Sequence, residues 1–493
     1  MINSKLIKIL QTFLPNEIKD FRKFINSGFF NKEGVYIVRI FDEIKKYYPD
    51  FTSKKIEKEV LFKKIYKSKV YNDVLMRKAA SSLSKLAEEY LMFRSYKESG
   101  TIGELLYLRK LREKRLGKLF IHHSEKLDLK LLKIDNSIDS QYFRNKYLFE
   151  LEKINYYVNF NQYISKQQLA MQNIQRFIVF DSLINLLDIG FNILVGISTM
   201  YNSQKNLVLQ MLDNIELDSV RELIKNNEPE LFPIFEIFHK RYLGFKNIDD
   251  DNYYFIYKKI ALENLMYLTW ENQFTIFISL QNICIRKFIE GKRNFANELH
   301  LVHKEMLKKG LYVQEKDDYM NLHTYRNIVL TASNLGKNDW IMRFMNKYIN
   351  KTLPEQRDSL TAWTKALVYY NSGKFINALK ELQAVKNDHF LTKHEIKTLT
   401  MKIFYELNEI ESAISLVQSY KKMIKNDKTF SQIHRKSYSN FSDFFLKLIK
   451  LKADCKFEEA EYLKIKIEKS VSNSKEWLLT KINDLINKKN QEL

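Results

Sequence analysis

Residues 366–382 read Ala366-Leu367-Val368-Tyr369-Tyr370-Asn371-Ser372-Gly373-Lys374-Phe375-Ile376-Asn377-Ala378-Leu379-Lys380-Glu381-Leu382. Small and aromatic residues fall at the spacing of two short helices joined by a tight turn. Ala366 sits where the first helix must come close to a neighbour, and Tyr369 adds bulk beside it. Gly373 frees the turn, because a residue without Cβ enters the left-handed region at no steric cost. Ala378 lets the second helix cross the first. Weaker copies flank this stretch. Phe404, Asn408, Ile410 and Ala413 keep the same order, and Ala413 follows Ala378 by 35 positions. Leu451, Cys455, Phe457 and Ala460 repeat it after an interval of 47. Upstream, Ala332, Gly336 and Ile341 form a degenerate copy, with Gly336 and Gly373 37 apart.

Self-similarity at this period is the mark of stacked helix pairs. The pattern over about residues 321–470 resembles the tetratricopeptide repeat. It departs from that family in three ways: the first-helix Trp is out of place, prolines between repeats are missing, and the spacing varies. The resemblance implies a helical-repeat solenoid whose concave face receives a protein or peptide. If that face lies on the better repeats, Asn371, Lys374 and Asn377 orient polar contacts, and Lys365 attracts an acidic peptide.

Working outward to the N-terminus, Leu6, Ile9, Leu10 and Phe13 share one helical face before Pro15. Ile18, Phe21, Phe24 and Ile25 share the next. A third helix is expected over Val35 to Tyr48, since the residue before Pro49 disfavours helix. A short one is expected around Ile56 to Ile65, and a long one from a cap at Asn72 or Asp73 to Phe93. The expected fold is all-α: an N-terminal helical bundle over 1–98, divergent helix pairs over 102–320, and TPR-like repeats with C-terminal helices over 321–493. Within 102–320, separate amphipathic helices are expected over Leu105 to Leu116, Ser140 to Asn159 and Ser165 to Phe180, followed by a buried apolar segment after Leu183. The opening Leu14-Pro15-Asn16-Glu17-Ile18-Lys19-Asp20-Phe21-Arg22-Lys23-Phe24 resembles that of a Bacteroidetes-type group of bacterial proteins in which a helical head precedes repeats. That resemblance implies architecture and no activity.

The chain has 493 residues, with 12 Gly and 5 Pro, poor material for a glycine-rich cofactor fold or a turn-rich barrel. Its net charge is +22, but 64 of the 81 basic residues are Lys and only 17 are Arg. Base-edge and phosphate recognition leans on the Arg fork. The densest run is Arg109, Lys110, Arg112, Lys114, Arg115 and Lys118, opposed by Glu113. It reads either as the solvated face of a helix or as a stripe for nucleic acid or another acidic partner. Cys284 and Cys455 lie in no paired motif and read as reduced thiols, which fits a cytoplasmic chain. The N-terminus lacks the pattern of a signal peptide. Leu183 to Met200 comes nearest to a membrane span, but Asn185, Asp188 and Asn192 favour a buried helix pair instead.

No phosphate loop, dinucleotide fingerprint or nucleophile elbow occurs. His300 and His303 stand one turn apart beside Glu298 and Glu305, without the HExxH pattern, and read as surface or partly buried side chains. Asp249-Asp250-Asp251 reads as a solvated helix start. The four Trp suit the gaps between helix layers better than a base-stacking groove. Of the pairs Tyr47-Tyr48, Tyr156-Tyr157 and Tyr253-Tyr254, one ring of each is expected to be accessible. The expectation is therefore a non-enzymatic scaffold with no cofactor and no metal, binding a protein or peptide; nucleic-acid binding is the alternative.

Overall fold

The structure is a computed structural model that describes residues 4–66, 70–133, 140–160, 164–199, 206–315, 318–385, 390–426, 432–454 and 459–492. Among the described residues there are 24 α-helices and no strand. The first nine are α1 Lys5–Gln11, α2 Pro15–Ile25, α3 Val35–Ile44, α4 Lys58–Ile65, α5 Asp73–Glu98, α6 Thr101–Glu113, α7 Gly117–Lys133, α8 Ser140–Asn159 and α9 Ile164–Thr199. Then come α10 Leu207–Asn214, α11 Leu217–Asn227, α12 Phe232–Lys246, α13 Asp251–Glu263, α14 Trp270–Ile289, α15 Phe295–Lys308, α16 Leu322–Asn334 and α17 Asn338–Tyr348. The last seven are α18 Arg357–Asn371, α19 Phe375–Gln383, α20 Phe390–Glu406, α21 Ile410–Asn426, α22 Gln432–Asp454, α23 Ala460–Glu468 and α24 Lys475–Glu492. They fall into two compact units, Met1–Lys133 with Asn145–Ile174, and Ile134–Arg144 with Gln175–Leu493.

In the first unit, α1–α5 enclose one core that runs from Leu6 to Tyr90. Phe21 is at its centre, 5.6 Å from Phe13, 5.0 Å from Phe41 and 5.4 Å from Tyr90, ring to ring. Local chemistry sets the boundaries. The Leu14 N–H donates to Glu17, and Asn72 accepts from the Leu75 N–H to start α5. The third helix stops at Ile44 and tightens into a 3-10 turn over Lys45–Tyr47, short of the expected Tyr48. A second core joins Leu105, Leu108, Leu111, Phe120 and Phe149 with Tyr156 and Tyr157. The Tyr156 ring stacks on Phe120 at 4.1 Å. Both tyrosines of that pair are buried, against the expectation of one accessible ring.

The stretch 164–199 is one unbroken helix, where two were expected. No Pro interrupts it, and Asn185 turns inward along the helix to donate to the carboxylate and carbonyl of Asp181. Among the described residues, this is the one helix long and apolar enough to cross a membrane. Its Asp188 pairs with Arg241 of α12, a guanidinium only 2% exposed that also donates to Ser279 and covers the Phe191 ring at 4.1 Å.

The second unit has a helical-repeat-like architecture, and its period shows most clearly in the turns. Gly336, Gly373 and Asn408 all have left-handed backbone, with φ of 66°, 72° and 61°. The next N–H in each case reaches back five residues: Lys337 to Ala332 at 3.0 Å, Lys374 to Tyr369 at 2.9 Å, Glu409 to Phe404 at 2.9 Å. Five residues after each left-handed position stands a wholly buried side chain, Ile341, Ala378 or Ala413. The fourth copy keeps a buried Ala460, but its Cys455 and Phe457 lie outside the described residues. A Cβ at Gly373 would meet nothing within 4 Å, so only backbone strain opposes one. Gly373→Ala is thus expected to cost about 1–2 kcal/mol, read as a lowered urea midpoint with native circular dichroism at low urea.

Contacts in this unit also skip hairpins. Tyr325 of α16 meets Thr364 of α18 at 3.2 Å, but Arg326 reaches past α18 to Glu395 of α20. Arg293, in the turn before α15, pairs with Glu476 of α24. Lys481 of α24 pairs with Glu406 of α20 at 2.9 Å.

Candidate functional site

Helices α13 and α15 run side by side in the same direction on top of α14. They meet at one end, where Tyr254 packs on Phe295 at 5.3 Å and Lys258 pairs with Glu298 at 2.6 Å. The Tyr254 hydroxyl donates to the same Glu298 oxygen at 2.7 Å and accepts from the Cys284 thiol at 3.2 Å. Tyr254 and Cys284 are buried in this strut, and Lys258 and Glu298 are half-buried. Burial pushes the Cys284 thiol up to about 12, so it holds no thiolate at neutral pH. Beyond the strut the helices part and leave a cleft of about 420 Å³. Its floor is Phe277 and Leu280 of α14, and its walls are Leu262 of α13 and Leu301 and Val302 of α15. Lys258, Lys304, Glu305 and Lys308 form the rim. Leu301 is 52% exposed although it stands among apolar neighbours. Glu305 is paired with Lys309 at 3.7 Å, whereas Lys304 and Lys308 have no ion pair among the described residues.

The opposite face of α15 is closed. His303 is 0% exposed and His300 4%, packed edge-on against Trp340 at 4.6 Å. Both are core side chains, more deeply buried than the surface or partly buried positions expected. Among the described residues no group of three metal-ligating side chains comes together. The Asp249-Asp250-Asp251 run opens α13 as expected, with Asp249 and Asp250 exposed and only Asp251 half-buried. Asp250 caps α13 by accepting from the Asn252 N–H. Asp251 binds Lys287, a wholly buried lysine of α14, at 2.9 Å and Lys292 at 2.6 Å. Lys287 also donates to the carbonyls of Ile248 and Asp250.

The residues singled out in the sequence divide into two groups. Arg109 and Arg112 converge on Glu152, at 2.7 and 3.0 Å, and Glu152 is 3% exposed. Lys110 pairs with Glu113 at 2.6 Å. Arg115 takes the left-handed position that ends α6, with φ 58°, and its side chain is exposed. Two of the three arginines therefore neutralise a buried carboxylate. Glu152→Gln is expected to release both, so that binding to a random DNA duplex tightens and its salt slope steepens by up to about two. Filter binding across a salt series checks this; equal slopes for the two proteins would refute it.

The second group lies on the 366–382 hairpin. Asn371 donates to the Ser333 hydroxyl at 2.9 Å and to Asn338 at 3.2 Å, and Asn338 donates to the Ser372 hydroxyl at 3.3 Å. It ties one hairpin turn to the next. Lys374 and Asn377 are exposed beside Ile376, itself 73% exposed, and Lys365 is half-buried on α18. These four do not line the cleft between α13 and α15. Leu301, Lys304 and Lys308 escaped notice in the sequence although their signal was present. In α15 the buried residues are Phe295, Leu299, His300, Val302, His303, Met306 and Leu307. A leucine outside that set, followed at helical spacing by two lysines, is out of place on a solvated face. No protein-family model, no curated protein and no solved structure matches this chain.

Proposed function

We propose that this chain is a cytoplasmic, non-enzymatic scaffold of TPR-like helix pairs that binds a protein or peptide partner. The cleft between α13 and α15 carries the reading. It is concave and apolar at its floor, it exposes a leucine at its edge, and it is ringed by a few charges, the composition of a partner-binding groove. The repeating left-handed turns support the TPR-like description, and the tie from Asn371 to Ser333 and Asn338 keeps neighbouring hairpins in register. Lys365, Lys374 and Asn377 are free to add contacts to a partner long enough to reach them. Nucleic acid is the weaker reading, because Arg109 and Arg112 are engaged by Glu152. The test is affinity capture from native cells with nuclease present, comparing the natural chain with Leu301→Asp. The side chain is half exposed, so the fold should survive, as circular dichroism would show. Co-purified protein is expected to fall at least roughly tenfold in the variant. Equal recovery, or partners that vanish on nuclease treatment of the natural chain, would overturn the proposal.

A further inference from the structure

The cleft between α13 and α15 has a shape and charge that specify more than a generic partner. We infer that it docks an amphipathic helix whose apolar stripe is bordered by acidic residues one turn apart; this rests on the reading of the cleft as the partner surface. The wall of α15 that faces the cleft runs from Leu301 to Lys308, about 10 Å at the helical rise. That length suits about two turns of a docked helix, whose side chains at i, i+3 or i+4, and i+7 enter between Leu262 and Leu301. Phe277, Leu280 and Val302 beneath them are at most 2% exposed, so the floor is fixed in place.

The charges decide the sign of the partner. Lys258 is neutralised by Glu298 and Glu305 is engaged by Lys309, which leaves Lys304 and Lys308 as the open charges of the rim. They are four apart on one edge of α15 and present two ammonium groups one turn apart. An acidic pair at i, i+4 on a helix lying in the cleft matches that spacing. Lysine on the partner would be repelled, and this opposition sets specificity as much as affinity. A peptide that binds by strand addition would need a sheet edge, and the described residues contain no strand. A flat lipid surface would touch the rim without reaching Phe277 and Leu280 below it.

Selection against the full chain tests this directly. The probe is a displayed library of amphipathic helices of about five turns, with Leu, Ile, Met and Phe on one face and Glu, Lys or Gln varied beside it. Enriched clones should carry acidic pairs four apart along the apolar stripe. As free peptides they should bind roughly tenfold more weakly, or less, to Leu301→Asp and to the double variant Lys304→Glu, Lys308→Glu. Exchanging the acids of the peptide for lysine should restore binding to the double variant and abolish it for the natural chain. The inference is overturned if no clone enriches, if enriched clones show no acidic preference, or if Leu301→Asp binds them equally well. It is also overturned if phosphatidylserine-rich vesicles bind in a Leu301-dependent manner and no peptide does. Where the library gives nothing but Leu301-dependent capture of a cellular protein persists, the helix fails and the partner surface stands.

Discussion

Replacing Lys287 with alanine is expected to destabilise the second unit by about 3–4 kcal/mol. The ammonium is wholly buried and donates to two backbone carbonyls and the Asp251 carboxylate, so it closes the loop between α12 and α13. Removing it leaves two inward carbonyls without a donor, and a void where its stem and its ammonium, which lies over the Phe295 ring, were packed. Asp251 still has Lys292 and stays ionised. Lys287→Met restores the stem without the charge and should recover about half of the loss. The urea midpoint reports the total, and hydrogen exchange at residues 248–252 reports the place. A change below about 1 kcal/mol in both variants would mean that the loop holds without the lysine.

The buried histidines of α15 predict acid sensitivity. Burial, and then the charges of Lys337 and Lys304, lower His300 to about 4. Burial, and then His300 itself, lowers His303 to about 3. Both folded values lie below the ordinary histidine value of about 6.5, so the unfolded chain takes up protons first. Stability should therefore fall as pH drops below about 6.5 and keep falling until pH reaches the folded values. At pH 5 the loss is about 2 kcal/mol for each residue. His303→Leu should remove its share. Neither ring nitrogen of His303 has a hydrogen-bond partner, so the variant should be neutral or more stable at pH 7.5. Thermal melts of both proteins at pH 5 and 7.5 test this; parallel losses would place the acid sensitivity elsewhere.

Much of the fold was legible because it depended on local rules. The face of Leu6, Ile9 and Leu10, Pro15 at a helix start, the cap at Asn72 and the turn at Gly373 each act within a few residues. The longest misreading, two helices in place of α9, arose where no breaker was present and a rise in apolar content was taken for a boundary. Long-range pairs were not legible. Nothing near Arg109 announces Glu152, 43 positions on, and nothing near Asp251 announces Lys287. The basic and acidic runs are largely solvated as they read, but the partners that engage Arg109, Arg112 and Asp251 sit on other helices and leave no local mark. The cleft was half legible: the misplaced Leu301 and the spacing of Lys304 and Lys308 are in the sequence, but only packing shows that α13 leaves a gap there.

The pair between Arg326 and Glu395 bears on how the second unit comes apart. An array whose repeats touch only their neighbours unfolds as a one-dimensional chain, able to fray from either end. Here an ion pair passes over α18, and Arg293 is bound to Glu476 of the last helix. The pair to the last helix is exposed and adds little, but the middle cannot open without breaking the more buried link between Arg326 and Glu395 that spans it. Such stitching turns progressive fraying into a sharper, more nearly all-or-none transition.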